Sequence, residues 1–292
     1  MKENQEIKFY ERNINNCRED IINGVQIEKN QVEYNIGKNM YAASNVGRRE
    51  NQEDSVLILE HQEDKNIKLL AVGDGVGGEE NGQQASQYLM KELLIFFESN
   101  KAKHYSNLEY IKKALEQKIL LINNEIIDKK LGKTTLSMAI ITNEATLIVN
   151  IGDSRIYTYN ENNLNQETRD DSLVQLFYEN NIIKEKELRR FHNRSNEITN
   201  CIGSYNISIN SKVMKTDYEI IIGLTDGVID CLSEEEIKKV IEVKEGNLAK
   251  DLVNKAINNI SINTSKFILP GEYQSVIIGG KDNATAGVVK IR

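Results

Sequence analysis

The chain has 292 residues but only one proline, no tryptophan and three cysteines, and each scarcity removes a class of protein. Cys17, Cys201 and Cys231 are too few and too scattered for a disulfide framework or a zinc knuckle, and they read as reduced thiols. No stretch approaches the roughly 18 uninterrupted apolar residues of a membrane-crossing helix. Apolar runs such as Leu93 to Phe97 and Ile220 to Ile222 are core-sized. Met1-Lys2-Glu3-Asn4-Gln5 lacks the apolar region of a secretory signal, so the expected location is the cytoplasm, with no membrane partner. Positive charge is also in deficit, with 37 Lys and Arg against 44 Asp and Glu for a net charge of −7. Nucleic acid is therefore not an expected partner, because phosphate backbones are held by a surplus of Lys and Arg. Asn, Ile, Lys and Glu are abundant, a bias of AT-rich coding that hints at a bacterial source.

The 39% hydrophobic content is enough for a substantial core, and one large domain is expected. Residues 1–39 are polar and Asn-rich and read as an N-terminal extension of unknown role; residues 40–292 read as one domain. Strand-length runs recur at Ser55 to Leu59, Leu69 to Val72, Leu136 to Ile141, Thr146 to Asn150, Ile156 to Tyr159, Glu219 to Leu224, Ser275 to Ile278 and Ala286 to Ile291. Helical stripes run through Gln83 to Glu98, through the stretch after a Ser106–Glu109 capping box, behind a second box at Ser233–Glu236, and through Leu248 to Ile260. Clustered strands without regular strand–helix alternation favour an α+β layered fold. Residues 162–212 are poor in strand signal and read as a variable, flap-like segment.

Acidic motifs are spread along this frame. The chain reads N-V-G-R-R-E-N-Q-E-D-S at 45–55, A-V-G-D-G-V-G-G-E-E-N-G at 71–82, N-I-G-D-S-R at 150–155, L-T-D-G-V-I-D at 224–230 and G-G-K-D-N-A-T at 279–285. Carboxylates converging from distant segments make a site for hard, oxygen-preferring divalent cations, although Asp-Gly and Asp-Asn pairs taken singly are ordinary turn formers. Gly132-Lys133-Thr134 is not a phosphate loop, because position 127 is Ile127 and the required glycine is missing. His61, His104 and His192 share no ligand spacing.

In this order and at these distances the five segments resemble the metal-dependent serine/threonine protein phosphatases of type 2C, the PPM family, in its bacterial single-domain form. The resemblance implies a four-layer α-β-β-α sandwich of two antiparallel sheets flanked by helices. It implies a Mn²⁺ or Mg²⁺ pair activating water for direct attack on phosphorus, with Asp74 bridging the ions and the Gly75 carbonyl completing one coordination sphere. Asp226 and Asp282 would hold the first ion, and Glu53, with Asp54, would order the second through water. Asp153 and Asp230 match positions that support a third, weaker ion. Arg49 sits where relatives place a phosphate-binding arginine, and Arg48 remains an alternative. The implied substrate is a phosphorylated protein, the product of a cognate serine/threonine kinase, and the enzyme is expected to be a monomer.

Two departures stand out. Glu79 replaces a histidine in D-G-M-G-G-H, and Asp171 replaces the histidine of T-x-D-H-S. Neither is an expected ligand, but proton delivery to the leaving alkoxide is affected, with water or Glu79 as candidate general acid. They leave open a catalytically weak module that senses phosphoprotein or metal, and a phosphatase acting on a small phosphorylated metabolite.

Overall fold

The computed structural model describes residues 25–28, 31–36, 39–76, 82–263 and 273–291. In chain order the strands are β1 (Val25–Glu28), β2 (Gln31–Ile36), β3 (Met40–Asn45), β4 (Ser55–Glu60), β5 (Lys68–Gly73), β6 (Leu136–Ile141), β7 (Ala145–Ile151), β8 (Arg155–Asn160), β9 (Asn163–Gln166), β10 (Asn210–Lys215), β11 (Ile220–Leu224), β12 (Ile260–Ile262), β13 (Val276–Ile278) and β14 (Ala284–Lys290). The helices are α1 (Gly82–Ser99), α2 (Leu108–Lys129), α3 (Leu173–Glu179), α4 (Asp226–Ile229), α5 (Glu234–Glu242) and α6 (Leu248–Asn258).

Seven strands in the order β1-β2-β3-β14-β11-β8-β9 form one antiparallel sheet, and β10-β7-β6-β5-β4 form a second. Met40, Ala42, Val56, Leu70, Val72, Ile148 and Ile221 pack between them. On the outer face of the second sheet, Leu57, Leu69 and Met138 meet the stripes of α1 and α2. Ile222, Leu224 and Val288 of the first sheet meet α4, α5 and α6. The strands are therefore buried on both faces, which is why β4, β5 and β6 read as nearly continuous apolar runs and not as alternation. This is the expected α-β-β-α sandwich.

Strands β1, β2, β3, β9, β10 and β12 were not legible as strands. β3 reads Met-Tyr-Ala-Ala-Ser-Asn, small residues buried between β2 and β14, where packing and not propensity decides. Within the N-terminal segment, residues 31–36 pair onto β3 and residues 25–28 pair onto residues 31–36, widening the sheet. The Ser106–Glu109 box is also corrected: Asn107 caps α2, accepting the Tyr110 N–H at 3.1 Å, while the Ser106 hydroxyl donates to the Lys103 carbonyl. The Ser233–Glu236 box forms as expected.

Between β9 and β10 lies a satellite built on α3 and a 3₁₀ turn at Lys186–Phe191, with its own small cluster of Val174, Ile183 and Leu188. Asp170 ties it down, accepting from Arg155 at 2.6 and 2.9 Å and from Arg189 at 3.2 Å. Among the described residues no helix is long and apolar enough to cross a membrane.

Candidate metal centre

Antiparallel pairing brings the ends of β3, β5, β7 and β11 and the starts of β4, β6, β8 and β14 to one end of the sandwich, as the partners Asn45–Ala284, Ser55–Gly73, Leu136–Ile151 and Leu224–Arg155 show. Every acidic motif sits at that end. Glu53 and Asp54 precede β4, Asp74 follows β5, Asp153 lies between β7 and β8, Asp226 follows β11 and Asp282 precedes β14. Asp226 opens α4, and the Asp230 N–H returns to the Asp226 carbonyl at 2.8 Å, so one turn carries both carboxylates. A cleft of about 610 Å³ opens at the opposite end, lined by Asp64, Lys103, Glu109 and Glu144, but size does not select the site. The chemistry gathers at the acidic end.

The acids repel one another there. Burial, then repulsion by Asp226 and Asp54, raises Asp74 well above the usual carboxylate range, and a side-chain hydrogen bond joins it to Asp226. Asp226 is raised to about 6 by burial and by Asp282, with the bond from Asp74 opposing. Asp54 rises to about 8 through burial, opposed by the Thr225 hydroxyl, which donates to Asp54 Oδ2 at 2.7 Å. Asp153 is raised well above the ordinary value by burial and by Asp226, and Asp230 to about 8 by the same two causes. Glu53 is raised by burial, with Arg49 opposing.

The residues fit divalent ions. Asp54 Oδ1, Asp153 Oδ1 and Asp226 Oδ1 are buried without a hydrogen-bond partner, a costly state that a cation would relieve. A Cβ placed on Gly82 would stand 3.0 Å from the Gly75 carbonyl oxygen and 3.2 Å from Glu53 Oε1, so the missing side chain leaves a cradle between two expected ligands. Among the described residues no three acidic, histidine or cysteine side chains already close around one point.

Arg49 Nη2 donates to Asp282 Oδ2 at 2.7 Å, and this bond holds its guanidinium pKa up. The neighbouring Arg48 gives its backbone N–H to the Gly280 carbonyl at 2.8 Å. Glu79 lies outside the described residues. Asp171 is buried and committed as an acceptor, taking the Gly152 N–H at 3.1 Å and Asn200 Nδ2 at 2.7 Å.

Sequence reasoning gave Gly82, Thr225, Asn283 and Thr135 no role at the site. Asn283 Nδ2 donates to the Val46 and Asn51 carbonyls at 2.9 and 3.0 Å, and Thr135 Oγ1 accepts the Asp74 N–H at 2.9 Å. Their adjacency to the acids was the available signal: Thr225 and Asn283 flank Asp226 and Asp282 directly.

The model of the family described as Protein phosphatase 2C matches residues 43–260. A serine/threonine phosphatase stp of Listeria monocytogenes is 27% identical over 206 residues, covering 67% of this chain and 79% of that protein. The crystal structure of serine/threonine phosphatase Stp1 from Staphylococcus aureus superposes with a TM-score of 0.73 at 25% identity, covering 91% of this chain and all of that one. The catalytic domain of the serine/threonine protein phosphatase PstP, solved in complex with two manganese ions, gives 0.66 at 22% identity over 89% of this chain and 98% of that one, a likeness of fold. Matched across most of its length and carrying its acids at one end of the same sandwich, the chain belongs to the protein phosphatase 2C family and is a protein phosphatase.

Proposed function

We propose that this phosphatase hydrolyses phosphoserine and phosphothreonine on proteins and that the acidic end of the sandwich is its catalytic centre. The carrying observation is the set of buried, partnerless carboxylate oxygens on Asp54, Asp153 and Asp226. In this reading Asp74, the Gly75 carbonyl, Asp226 and Asp282 would hold a Mn²⁺ or Mg²⁺ pair, with Glu53 and Asp54 contributing through water. Asp153 and Asp230 form a candidate third position beside Asp226. Bound divalent ions supply an activated water nucleophile and neutralise phosphoryl charge.

The chain's own groups do the rest. Arg49, half-exposed, exchanges Asp282 for two phosphate oxygens and orients the phosphoryl group for in-line attack. Thr225 holds Asp54, and Thr135 holds the Asp74 backbone, so the acids keep their spacing under mutual repulsion. The Cys231 thiol, pushed up to about 12 by burial, is no nucleophile, in keeping with direct attack by water. Asp171, filled as an acceptor, does not deliver the proton to the leaving alkoxide.

The site assigned here is proposed to work in the cytoplasm, on a monomer, against products of a cognate serine/threonine kinase. The intact acid set favours turnover over a sensing module. Phosphate release from phosphothreonine peptides with and without Mn²⁺ tests this. Activity that requires Mn²⁺ and falls at least about a hundredfold in Asp74→Asn is expected, and an active Asp74→Asn enzyme would refute the assignment.

A further inference from the structure

Strands β12 and β13 form a two-stranded ribbon outside both main sheets. Its register sets Ile260 opposite Ile278 and Ile262 opposite Val276. Ser261 and Ile277, on the alternate face, are buried, whereas Ile260, Ile262, Val276 and Ile278 are 63, 64, 40 and 40% exposed. Two directly opposed pairs of β-branched side chains thus lie together in solvent, a contiguous apolar patch of the kind that marks a contact surface.

Hydrogen bonds fix the ribbon to its own base, to the acidic end and to the satellite. Its base is closed by the Gly279 N–H to the Asn259 carbonyl at 2.9 Å, and the next residue, Gly280, accepts the Arg48 N–H in the arginine loop. Ser261 Oγ donates to the Cys231 carbonyl at 2.9 Å, one residue past Asp230, and accepts from Arg190 at 3.0 Å. The Gln274 N–H reaches the Phe191 carbonyl of the satellite at 2.7 Å. Ile278 precedes Asp282 by four residues, at most about 14 Å of chain. Exposed Arg48 and Lys281 supply positive charge between patch and site.

We propose that this face docks the stretch of phosphoprotein flanking the phosphorylated residue and selects extended segments with aliphatic side chains at alternate positions. The proposal rests on the phosphatase reading of the site. A strand rises about 3.3 Å per residue, so side chains roughly two to six positions from a phosphoresidue held at Arg49 span the distance to the two aliphatic pairs, and only every second one faces them. Arg48, Lys281 and Arg49 match the phosphate end of such a ligand, and the two aliphatic pairs match its flank.

The test uses two phosphothreonine peptides of equal length and charge, one with Ile and Val at alternate flanking positions, the other with Ser and Thr there. With Mn²⁺, the wild-type enzyme is expected to prefer the aliphatic peptide about tenfold in kcat/KM, chiefly through KM. Ile262→Thr with Val276→Thr should erase the preference while para-nitrophenyl phosphate turnover stays unchanged. The pair Ile260→Thr with Ile278→Thr repeats the measurement should the first variant not fold. Equal wild-type rates on the two peptides, or a preference that survives either double variant, overturns the proposal. So does a wild-type dimer that the double variant dissociates without touching the peptide preference, which would assign the face to a second copy of the chain. Absence of Mn²⁺-dependent turnover of para-nitrophenyl phosphate overturns the phosphatase reading itself, and this proposal with it.

Discussion

Asn283 Oδ1 accepts the backbone N–H of Glu53 at 2.8 Å across 230 positions of sequence. The same side chain donates to the Val46 and Asn51 carbonyls, so one buried amide clamps the loop carrying Arg49, Glu53 and Asp54 onto the loop carrying Asp282. Asn283→Ala strands one donor and two acceptors, a cost on the order of 1–3 kcal/mol. Thermal unfolding should register that loss, and Mn²⁺ titration of activity should show weakened affinity in the folded fraction. A variant with wild-type Tm and Mn²⁺ dependence would show that the clamp is dispensable.

Metal addition should stabilise the protein. At a hundredfold excess over Kd, a ligand specific to the folded state adds about 2.7 kcal/mol, a rise in Tm of several degrees that EDTA reverses. Asp226→Asn removes one repelling charge from the cluster and should abolish most of the Mn²⁺ shift. Differential scanning in EDTA and in Mn²⁺ compares the two proteins directly.

The metal-free protein should also lose stability as pH rises. Asp226 at about 6 and Asp54 and Asp230 at about 8 all lie above the unfolded carboxylate value near 3.8, so the fold binds protons more tightly than the unfolded chain does. Their contribution is full below pH 4 and is lost as pH climbs through 6 to 8. Urea midpoints in EDTA should fall across that window, and saturating Mn²⁺ should flatten the trend. A midpoint that climbs with pH in EDTA contradicts the buried-acid picture.

Glycines at the site separate two kinds of failure. On Gly227 a Cβ would stand 1.9 Å from the Asn283 carbonyl oxygen, so Gly227→Ala should not give soluble, folded protein. On Gly82 the clash is milder but falls in the cradle between the Gly75 carbonyl and Glu53, so Gly82→Ala should fold and require about tenfold to a hundredfold more Mn²⁺. Circular dichroism with Mn²⁺-dependent turnover distinguishes the two outcomes.

Asp171 occupies a histidine position of the family pattern, yet the structure gives it acceptor work. It holds the N–H of Gly152, a residue at φ +104° just before Asp153, together with Asn200. Asp171→Ala should cost on the order of 1–3 kcal/mol of stability and leave the shape of the pH–rate profile unchanged. A displaced limb in that profile would restore Asp171 as a proton donor.

The sequence by itself determined the acids, their order and the apolar runs between them, because metal chemistry restricts residue type and burial on both faces leaves long hydrophobic stretches. Asp74, Asp226, Asp282 and the Glu53–Asp54 pair were readable as candidates for that reason. Only the tertiary structure decided that these acids share one end of a sandwich, since strand pairing over separations such as that of Ala284 and Asn45 sets which termini meet. It likewise turned Ala-rich β3 into a central strand, gave Asn283 and Gly82 their duties, and aligned Ile260, Ile262, Val276 and Ile278 on one face. Those roles depend on what lies across a gap in space, which local periodicity does not encode.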